Sequence, residues 1–236
     1  MNLKRNNKKI DIKFNFYSDT PKGKDPDSYS LTLKKYHQIL WTKTLPNGKL
    51  FSLDISHPKI LYHKSDIGEY FLSSDSIGHT YSKIKIMRDI VNQFSKQDIK
   101  RFYSLASTIG AYIIFPSNMI DNKMTINAAR GVNKYIKDRF DLSLLCIKYY
   151  YEGKDNPIAD VLKRYSFFFE LFNDFNGYVN FFLLNDLIDQ KENIKYFLPF
   201  KEFEKDPLPK NKSEYLNYMN GLSNFIKSRN LKIDSL

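Results

Sequence analysis

Two short segments contain the residue types that acid–base or anion chemistry requires. The first, Ser73 to Tyr81, is rich in serine, aspartate, histidine and tyrosine. Asp75 and His79 form a candidate catalytic pair, because a carboxylate can orient an imidazole and the imidazole can move a proton near neutral pH. The same residue types are common in turns and helix caps, and no nucleophile elbow surrounds them. The segment therefore predicts either a hydrolase site or an ordinary strand-to-helix connection.

The second segment is centred on Arg130. The chain has 30 Lys and only 7 Arg, so an arginine marks a position where the planar guanidinium is needed. Arg130 follows a predicted hairpin and precedes a predicted helix, and the free amides of a helix start favour an anion. We expect Asn127 and Arg130, together with Lys22 and Lys24, to bind phosphate. The alternative is that Arg130 ties down its own loop through Asp138 or backbone carbonyls.

Arg139 is a third candidate for a catalytic role. It borders the apolar stripe of a predicted helix beside Cys146, which favours a partly buried ion pair. In a hydrolase it would instead stabilise an anion near Asp75 and His79. Both interpretations stay open from the sequence alone.

Several common sites are absent from the sequence. There is no Gly-x4-Gly-Lys-Ser/Thr loop and no Gly-x-Gly-x-x-Gly, which excludes the usual nucleotide-binding loops. No metal is predicted, because the histidines and acids between His57 and Glu69 match no ligand spacing. No motif requires a cofactor. Cys146 has no histidine near it in sequence and is expected in the core.

The composition indicates a folded chain with a basic N-terminal part. Of the 236 residues, 42% are hydrophobic and 16% aromatic, which argues against global disorder. The formal charge is +11, and residues 1–50 carry +7 of it. This bias favours nucleic acid or a nucleotide as a partner at that end of the chain. The abundance of Lys, Asn, Ile and Tyr is also what an A/T-rich genome produces by codon bias.

Hydropathy predicts neither a membrane span nor an export signal. The longest apolar runs, Tyr165 to Phe172 and Tyr178 to Leu184, stop well short of the ~20 residues that a membrane crossing needs. Residues 10–17 alternate between polar and apolar types and do not form the apolar core of a signal peptide. A single cysteine fits a reducing compartment. We therefore expect a cytoplasmic protein that does not bind membranes.

The pattern of elements predicts an α+β fold. Strands are predicted at residues 10–17, 109–115 and 124–127, with an Asn-Gly hairpin at residues 45–50. Helices are predicted at residues 27–42, 82–93, 96–104, 133–151, 157–173, 178–189 and from 213 to the C terminus. We expect a single domain over residues 1–236, with a small, mostly antiparallel sheet in the part at 10–130 and a helical part at 133–232.

Three strings in the second half of the chain are distinctive. They are TINAARG at residues 125–131, KDRFDLSL at 137–144 and GYVNFFLLNDL at 177–187. With GKDPD at residues 23–27, they resemble an uncharacterised bacterial family that is catalogued only as a domain of unknown function. The resemblance covers most of the chain. It implies a bacterial or phage source and a single domain, and it implies no activity.

Three functions are consistent with these features. The leading hypothesis is an intracellular module that binds nucleic acid or a nucleotide phosphate at Asn127 and Arg130. The first alternative is a hydrolase that uses the Ser73 to Tyr81 segment, and the second is a protein-interaction module with an exposed patch. Spatial arrangement separates the first two. Asp75, His79 and an arginine around one pocket would favour an enzyme, and scattered positions would favour binding.

Overall fold

A three-stranded antiparallel sheet lies in the first half of the chain. The computed structural model describes residues 9–203 and 206–236. The strand order is β3 (Leu61–Ser65), β4 (Gly68–Ser76) and β5 (Tyr112–Pro116), so β4 is the middle strand. All five residues of β5 are buried, and Ser76 at the end of β4 pairs with Tyr112. The end of β4 is therefore paired with a fully buried strand.

A second, two-stranded sheet is the predicted Asn-Gly hairpin. Its strands β1 (Lys43–Thr44) and β2 (Leu50–Phe51) pair antiparallel. Gly48 in the turn has a φ of +81°, which glycine adopts without steric cost.

Ten helices surround and extend the sheets in the described part of the chain. They are α1 (Pro26–Tyr29), α2 (Leu31–Trp41), α3 (Lys85–Val91), α4 (Lys96–Leu105), α5 (Ile126–Val132), α6 (Phe140–Tyr151), α7 (Ala159–Arg164), α8 (Ser166–Phe169), α9 (Phe175–Phe181) and α10 (Lys212–Asp234). The second half of the chain is helical and the sheets belong to the first half, so the predicted α+β class is confirmed. None of the described helices is long and apolar enough to cross a membrane.

Two predicted strands are wrong. Residues 10–17 form a turn that leads into a short 3-10 helix at Phe16–Asp19. The side chain of Asn15 accepts a hydrogen bond from the amide of Tyr17. This local bond uses a backbone N–H that would otherwise pair with a neighbouring strand. Residues 124–127 contain the start of α5, where the hydroxyl of Thr125 caps the helix. Arg130 therefore lies within a helix and does not follow a hairpin.

The predicted long helices of the second half are interrupted. Lys137 and Asp138 have φ values of +46° and +59°, so no helix runs through them and α6 begins at Phe140. The predicted helix at 157–173 is divided into α7, α8 and a 3-10 turn, and the helix predicted at 178–189 is α9, which ends near Leu183 with φ +57°. Hydrophobic periodicity does not detect single left-handed residues, because it measures only the apolar face.

Candidate active site

A cleft of about 450 Å³ opens where β4 ends. The first part of its wall comes from the 3-10 helix at Phe16–Asp19 and from α1 with the residue before it. The rest comes from β4 and the segment that follows it, from α4, from the start of β5, and from α5 with the loop that follows it. Four aspartates line it: Asp25, Asp27, Asp75 and Asp138. His79 lines it as well. Distant parts of the sequence therefore bring acid–base side chains to one cavity.

Arg130 lies behind the cleft and holds two of these acids. Its side chain is completely buried, and its guanidinium lies over the rings of Phe115 and Phe140. Nη1 donates to Asp75, and Nη2 lies 3.1 Å from Oδ1 of Asp138. Nε donates to the hydroxyl of Ser143 over 2.8 Å. Nε and Nη1 thus donate hydrogen bonds, whereas Nη2 is in ion-pair contact with Asp138 without a hydrogen bond among the described residues.

Asp138 links Arg130 to His79. Its Oδ2 lies 2.9 Å from Nε2 of His79. Burial by itself would raise the pKa of Asp138, but the charges of Arg130 and His79 outweigh burial and lower it to about 2. Burial would lower the pKa of His79, but the hydrogen bond and charge of Asp138 raise it above its ordinary value. The lowered pKa of Asp138 and the raised pKa of His79 both favour an ion pair between the two side chains.

Asp75 has a pKa that is suited to proton transfer. Burial raises the pKa to about 6, and Asp138 adds to the rise while Arg130 and His79 oppose it. The amide of Ser76 donates to Oδ1 over 2.9 Å and fixes the carboxyl group. A carboxylate with a pKa of about 6 is a much better base than an ordinary aspartate.

Asp27 is a second acid whose pKa is raised. Burial raises its pKa well above the ordinary value, and the charges of Asp75 and Asp25 raise it further. Its Oδ1 is shielded from solvent and has no hydrogen-bond partner among the described residues. Asp27 and Asp75 are therefore two interacting carboxyl groups in one cleft, and both bind a proton more tightly than an ordinary aspartate does.

A buried chain of hydrogen bonds leads to Asp27 from the core. The indole of Trp41 donates to Nδ1 of His37 over 2.9 Å, and Nε2 of His37 lies 2.9 Å from the hydroxyl of Ser74. Burial, followed by the charge of Arg229, lowers the pKa of His37 to about 3, so the ring is neutral. The hydroxyl of Ser74 interacts with Asp27 and partly offsets the rise in its pKa. This chain orients a donor toward Asp27.

The backbone around the cleft is locally strained. Tyr81 and Asp138, both in the cleft wall, have φ values of +54° and +59°. The left-handed region costs a side chain other than glycine about 1 kcal/mol or more. The hydroxyl of Tyr81 donates to the carbonyl of Lys137 over 3.1 Å and so connects the two strained segments.

The structure brings together Asp75, His79 and Arg130 and leaves the other candidates elsewhere. Arg139 is buried in a separate ion pair, with Nη2 2.5 Å from Oδ2 of Asp141, and it does not line the cleft. The amide of Asn127 lies 3.4 Å from the hydroxyl of Ser73, outside the cleft wall.

The basic N-terminal residues are on the surface. Lys22 and Lys24 are exposed, and neither lines the cleft. Part of the basic segment, residues 1–8, lies outside the described residues. Arg130 lies within α5 and is buried, and the phosphate site at Asn127 and Arg130 stays a prediction.

Three acids of the cleft are not among the site residues predicted from the sequence: Asp25, Asp27 and Asp138. Asp138 does contact Arg130, as the alternative interpretation of that arginine proposed. All three acids lie in the strings that carry the family resemblance, GKDPD at 23–27 and KDRFDLSL at 137–144, and these strings were the available signal.

The histidines of the β3 region have structural partners. Nδ1 of His63 contacts the backbone of Ser52, and Nε2 lies 2.8 Å from the hydroxyl of Ser65. Within residues 9–203 and 206–236, no group of three or more His, Cys, Asp or Glu side chains is placed to hold a metal ion.

Comparison with known proteins identifies the family. The model of a family of unknown function, DUF6994, matches residues 10–233, almost the whole chain. The chain belongs to DUF6994. No curated protein and no solved structure gives a significant match.

In this DUF6994 protein, the cleft with its four aspartates lies entirely within the matched residues. The family assignment itself names no substrate and no reaction. The function must therefore be argued from the chemistry of the cleft.

Proposed function

We propose that the protein is a cytoplasmic enzyme, a hydrolase that uses Asp27 as general acid and Asp75 as general base. The observation that carries this proposal is that Asp27 and Asp75 lie in one cleft and that their surroundings shift their pKa values by different amounts. Both residues line the cleft, the pKa of Asp27 is raised well above its ordinary value, and the pKa of Asp75 is raised to about 6. Such a separation is how one site supplies both an acid and a base at the same pH.

The chemistry is hydrolysis of a bond to a leaving oxygen or nitrogen. Asp75 takes a proton from a water molecule, whose oxygen forms the new bond to the substrate. Asp27 gives its proton to the leaving atom as the old bond breaks. Asp75 then releases its proton to solvent, and Asp27 regains one from solvent. Asp27 and Asp75 are thus the catalytic residues of the proposal.

His79, Asp138 and Arg130 are positioning residues in this scheme. The imidazolium and the guanidinium neutralise Asp138, and Arg130 also holds Asp75. Local strain at Tyr81 and Asp138 supports a functional role for the cleft, because strained residues concentrate at active sites. The single cysteine, buried Cys146, is compatible with a cytoplasmic location.

The binding hypothesis has weaker support. Arg130 is completely buried and ion-paired with Asp75 and Asp138, so a phosphate would have to displace one of these acids to reach it.

A panel of chromogenic substrates tests the proposal. Glycosides, carboxylic esters, phosphate esters and peptide amides would be assayed with the wild type, Asp27→Asn and Asp75→Asn. We expect one uncharged class to be hydrolysed, and each substitution to lower kcat about 100-fold or more. Asp121→Asn is the matched control, because Asp121 is exposed in a left-handed turn where asparagine is well tolerated.

Two results would overturn the hydrolase proposal. One is the absence of hydrolysis across all four classes by folded wild-type protein. The other is a hydrolytic activity that Asp27→Asn and Asp75→Asn both leave at the level of the Asp121→Asn control.

A further inference from the structure

Four tyrosines line the same cleft as the acids: Tyr17, Tyr81, Tyr103 and Tyr112. Tyr17 and Tyr103 form the outer part of the wall, since their side chains are 41% and 39% exposed. Their ring centroids lie 5.0 Å apart and their planes are tilted by 38°. The cleft therefore offers a solvent-accessible aromatic corner on one side.

The aromatic corner and the proposed acid share one cleft. Asp25 and Asp27 line it together with Tyr17, Tyr103 and Tyr112. A ligand that packs on Tyr17 therefore occupies the same cleft as the carboxyl group of Asp27.

Charged side chains of both signs line the cleft. Asp25, Asp75 and Asp138 lie in its wall together with Lys83 and Lys137, and the buried Arg130 contacts Asp75 and Asp138 from behind. Because the two signs are mixed, the wall favours a neutral ligand over a strongly charged one.

Hydroxyl groups occupy much of the remaining wall. Ser76, Thr80, Ser82 and Ser107 line the cleft, and the hydroxyls of Thr80 and Ser82 lie 3.0 Å apart. The hydroxyls of Ser76 and Ser107 donate to the carbonyls of Gly78 and Tyr103. A hydroxyl oxygen can also accept, so this wall can bind the hydroxyl donors of a ligand.

We infer that the ligand of the cleft is a neutral carbohydrate, which rests on the proposed hydrolase function and names its substrate class. A sugar ring has apolar C–H faces that pack on tyrosine and a rim of hydroxyls that matches the polar wall. The bond cleaved is the glycosidic C–O bond. The oxygen of water bonds to the anomeric carbon, the glycosidic oxygen leaves with the proton of Asp27, and Asp75 receives the proton of water.

A binding experiment tests the ligand class independently of catalysis. Asp27→Asn, in which cleavage is blocked, would be titrated calorimetrically with tetrasaccharides of glucose, xylose and N-acetylglucosamine, and with adenosine and a neutral tetrapeptide. We expect one saccharide to bind. Adding Tyr103→Ala or Tyr17→Ala should weaken that binding about ten-fold. The control is Tyr62→Ala, because Tyr62 is half-buried and does not line the cleft.

The outcomes separate the two proposals. If no saccharide binds, or if the tyrosine substitutions act no differently from Tyr62→Ala, the carbohydrate inference is wrong. Tighter binding of adenosine or the peptide than of any saccharide would also overturn it, even if the enzyme hydrolyses another uncharged substrate through Asp27. Saccharide binding by a wild-type protein that hydrolyses none of the four substrate classes would support the ligand class and overturn the hydrolase.

Discussion

The indole N–H of Trp41 donates to Nδ1 of His37, so this nitrogen carries no hydrogen. Because tryptophan can only donate, the proton of the neutral ring must be on Nε2, which faces the hydroxyl of Ser74. A histidine that activates a serine needs the opposite tautomer, with Nε2 as acceptor. His37 and Ser74 therefore form a donor chain toward Asp27 and not a nucleophile–base pair.

This tautomer leads to a pH prediction for His37. Its pKa in the folded protein is about 3, below the ordinary value of 6.5, because it is buried and near Arg229. The unfolded chain therefore takes up a proton first as the pH falls. The stability that neutral His37 provides should be lost from about pH 6.5 down toward about pH 3.

Nitrogen-detected NMR of the imidazole groups checks this prediction. The wild type should show a protonated Nε2 and a bare Nδ1 for His37 without titration between pH 7 and pH 5. The variant His37→Asn assigns the His37 resonance by its disappearance. The free energy of unfolding of this variant, measured in urea, should depend less on pH over that interval than the free energy of unfolding of the wild type. A ring that titrates near its ordinary value, or that is protonated on Nδ1, would show that the donor chain is wrong.

Replacing Arg130 by lysine should destabilise the protein by about 3 kcal/mol. An ammonium group cannot contact Asp75, Asp138 and Ser143 together, so a buried acid would lose its partner. Arg101→Lys is the matched control, since Arg101 is 70% exposed and lies 3.8 Å from Asp98. Its cost should be within about 0.5 kcal/mol. Urea unfolding of both variants measures the difference, and equal costs would contradict the role of Arg130 as the centre of the network.

Two helical glycines should respond to alanine in opposite directions. A Cβ on Gly177 would lie 1.9 Å from the carbonyl oxygen of Phe172, which the backbone must move to accommodate. Gly177→Ala should therefore cost about 3 kcal/mol or more. Gly131, in α5, has no atom within 4 Å of such a Cβ. Gly131→Ala should stabilise the fold by about 0.5–1 kcal/mol, and thermal unfolding should give midpoints on opposite sides of the wild type.

The pH dependence of hydrolysis should be bell-shaped. Asp75 must be ionised to act as a base, so kcat/KM should rise as the pH increases through about 6. Asp27 must be protonated, so the rate should fall again above its raised pKa. The measurement uses the substrate identified in the chromogenic panel. A profile that keeps its full rate well below pH 6 would exclude Asp75 as the base.

Local and periodic signals in the sequence predicted much of the fold. The hairpin at Asn47 and Gly48, the Ser95 cap of α4 and the C-terminal helix follow from rules that act over a few residues. Residues 10–17 alternate as a strand would, but the side chain of Asn15 accepts from the amide of Tyr17 and the segment forms a turn instead. Whether a segment makes local hydrogen bonds or joins a sheet depends on whether the fold places another strand beside it. The local sequence of the segment does not contain that information.

The candidate site was only partly predictable for the same reason. Asp75 and His79 are four residues apart and were found as a cluster. Asp27 and Asp138 reach them through long-range packing and, in Asp138, through a left-handed backbone. Residue types show which groups can exchange protons. Tertiary structure decides which of them meet, and burial then decides which one holds its proton.

The protonation state of Asp27 tests the central claim most directly. Carbon-detected NMR of the aspartate carboxyls, assigned with Asp27→Asn, would follow its titration in the wild type and in Asp75→Asn. We predict that Asp27 is still protonated well above the ordinary pKa of 3.8, and that Asp75→Asn lowers its midpoint by removing a neighbouring charge. A midpoint near 3.8 that does not respond to Asp75→Asn would contradict the assignment of Asp27 as the acid.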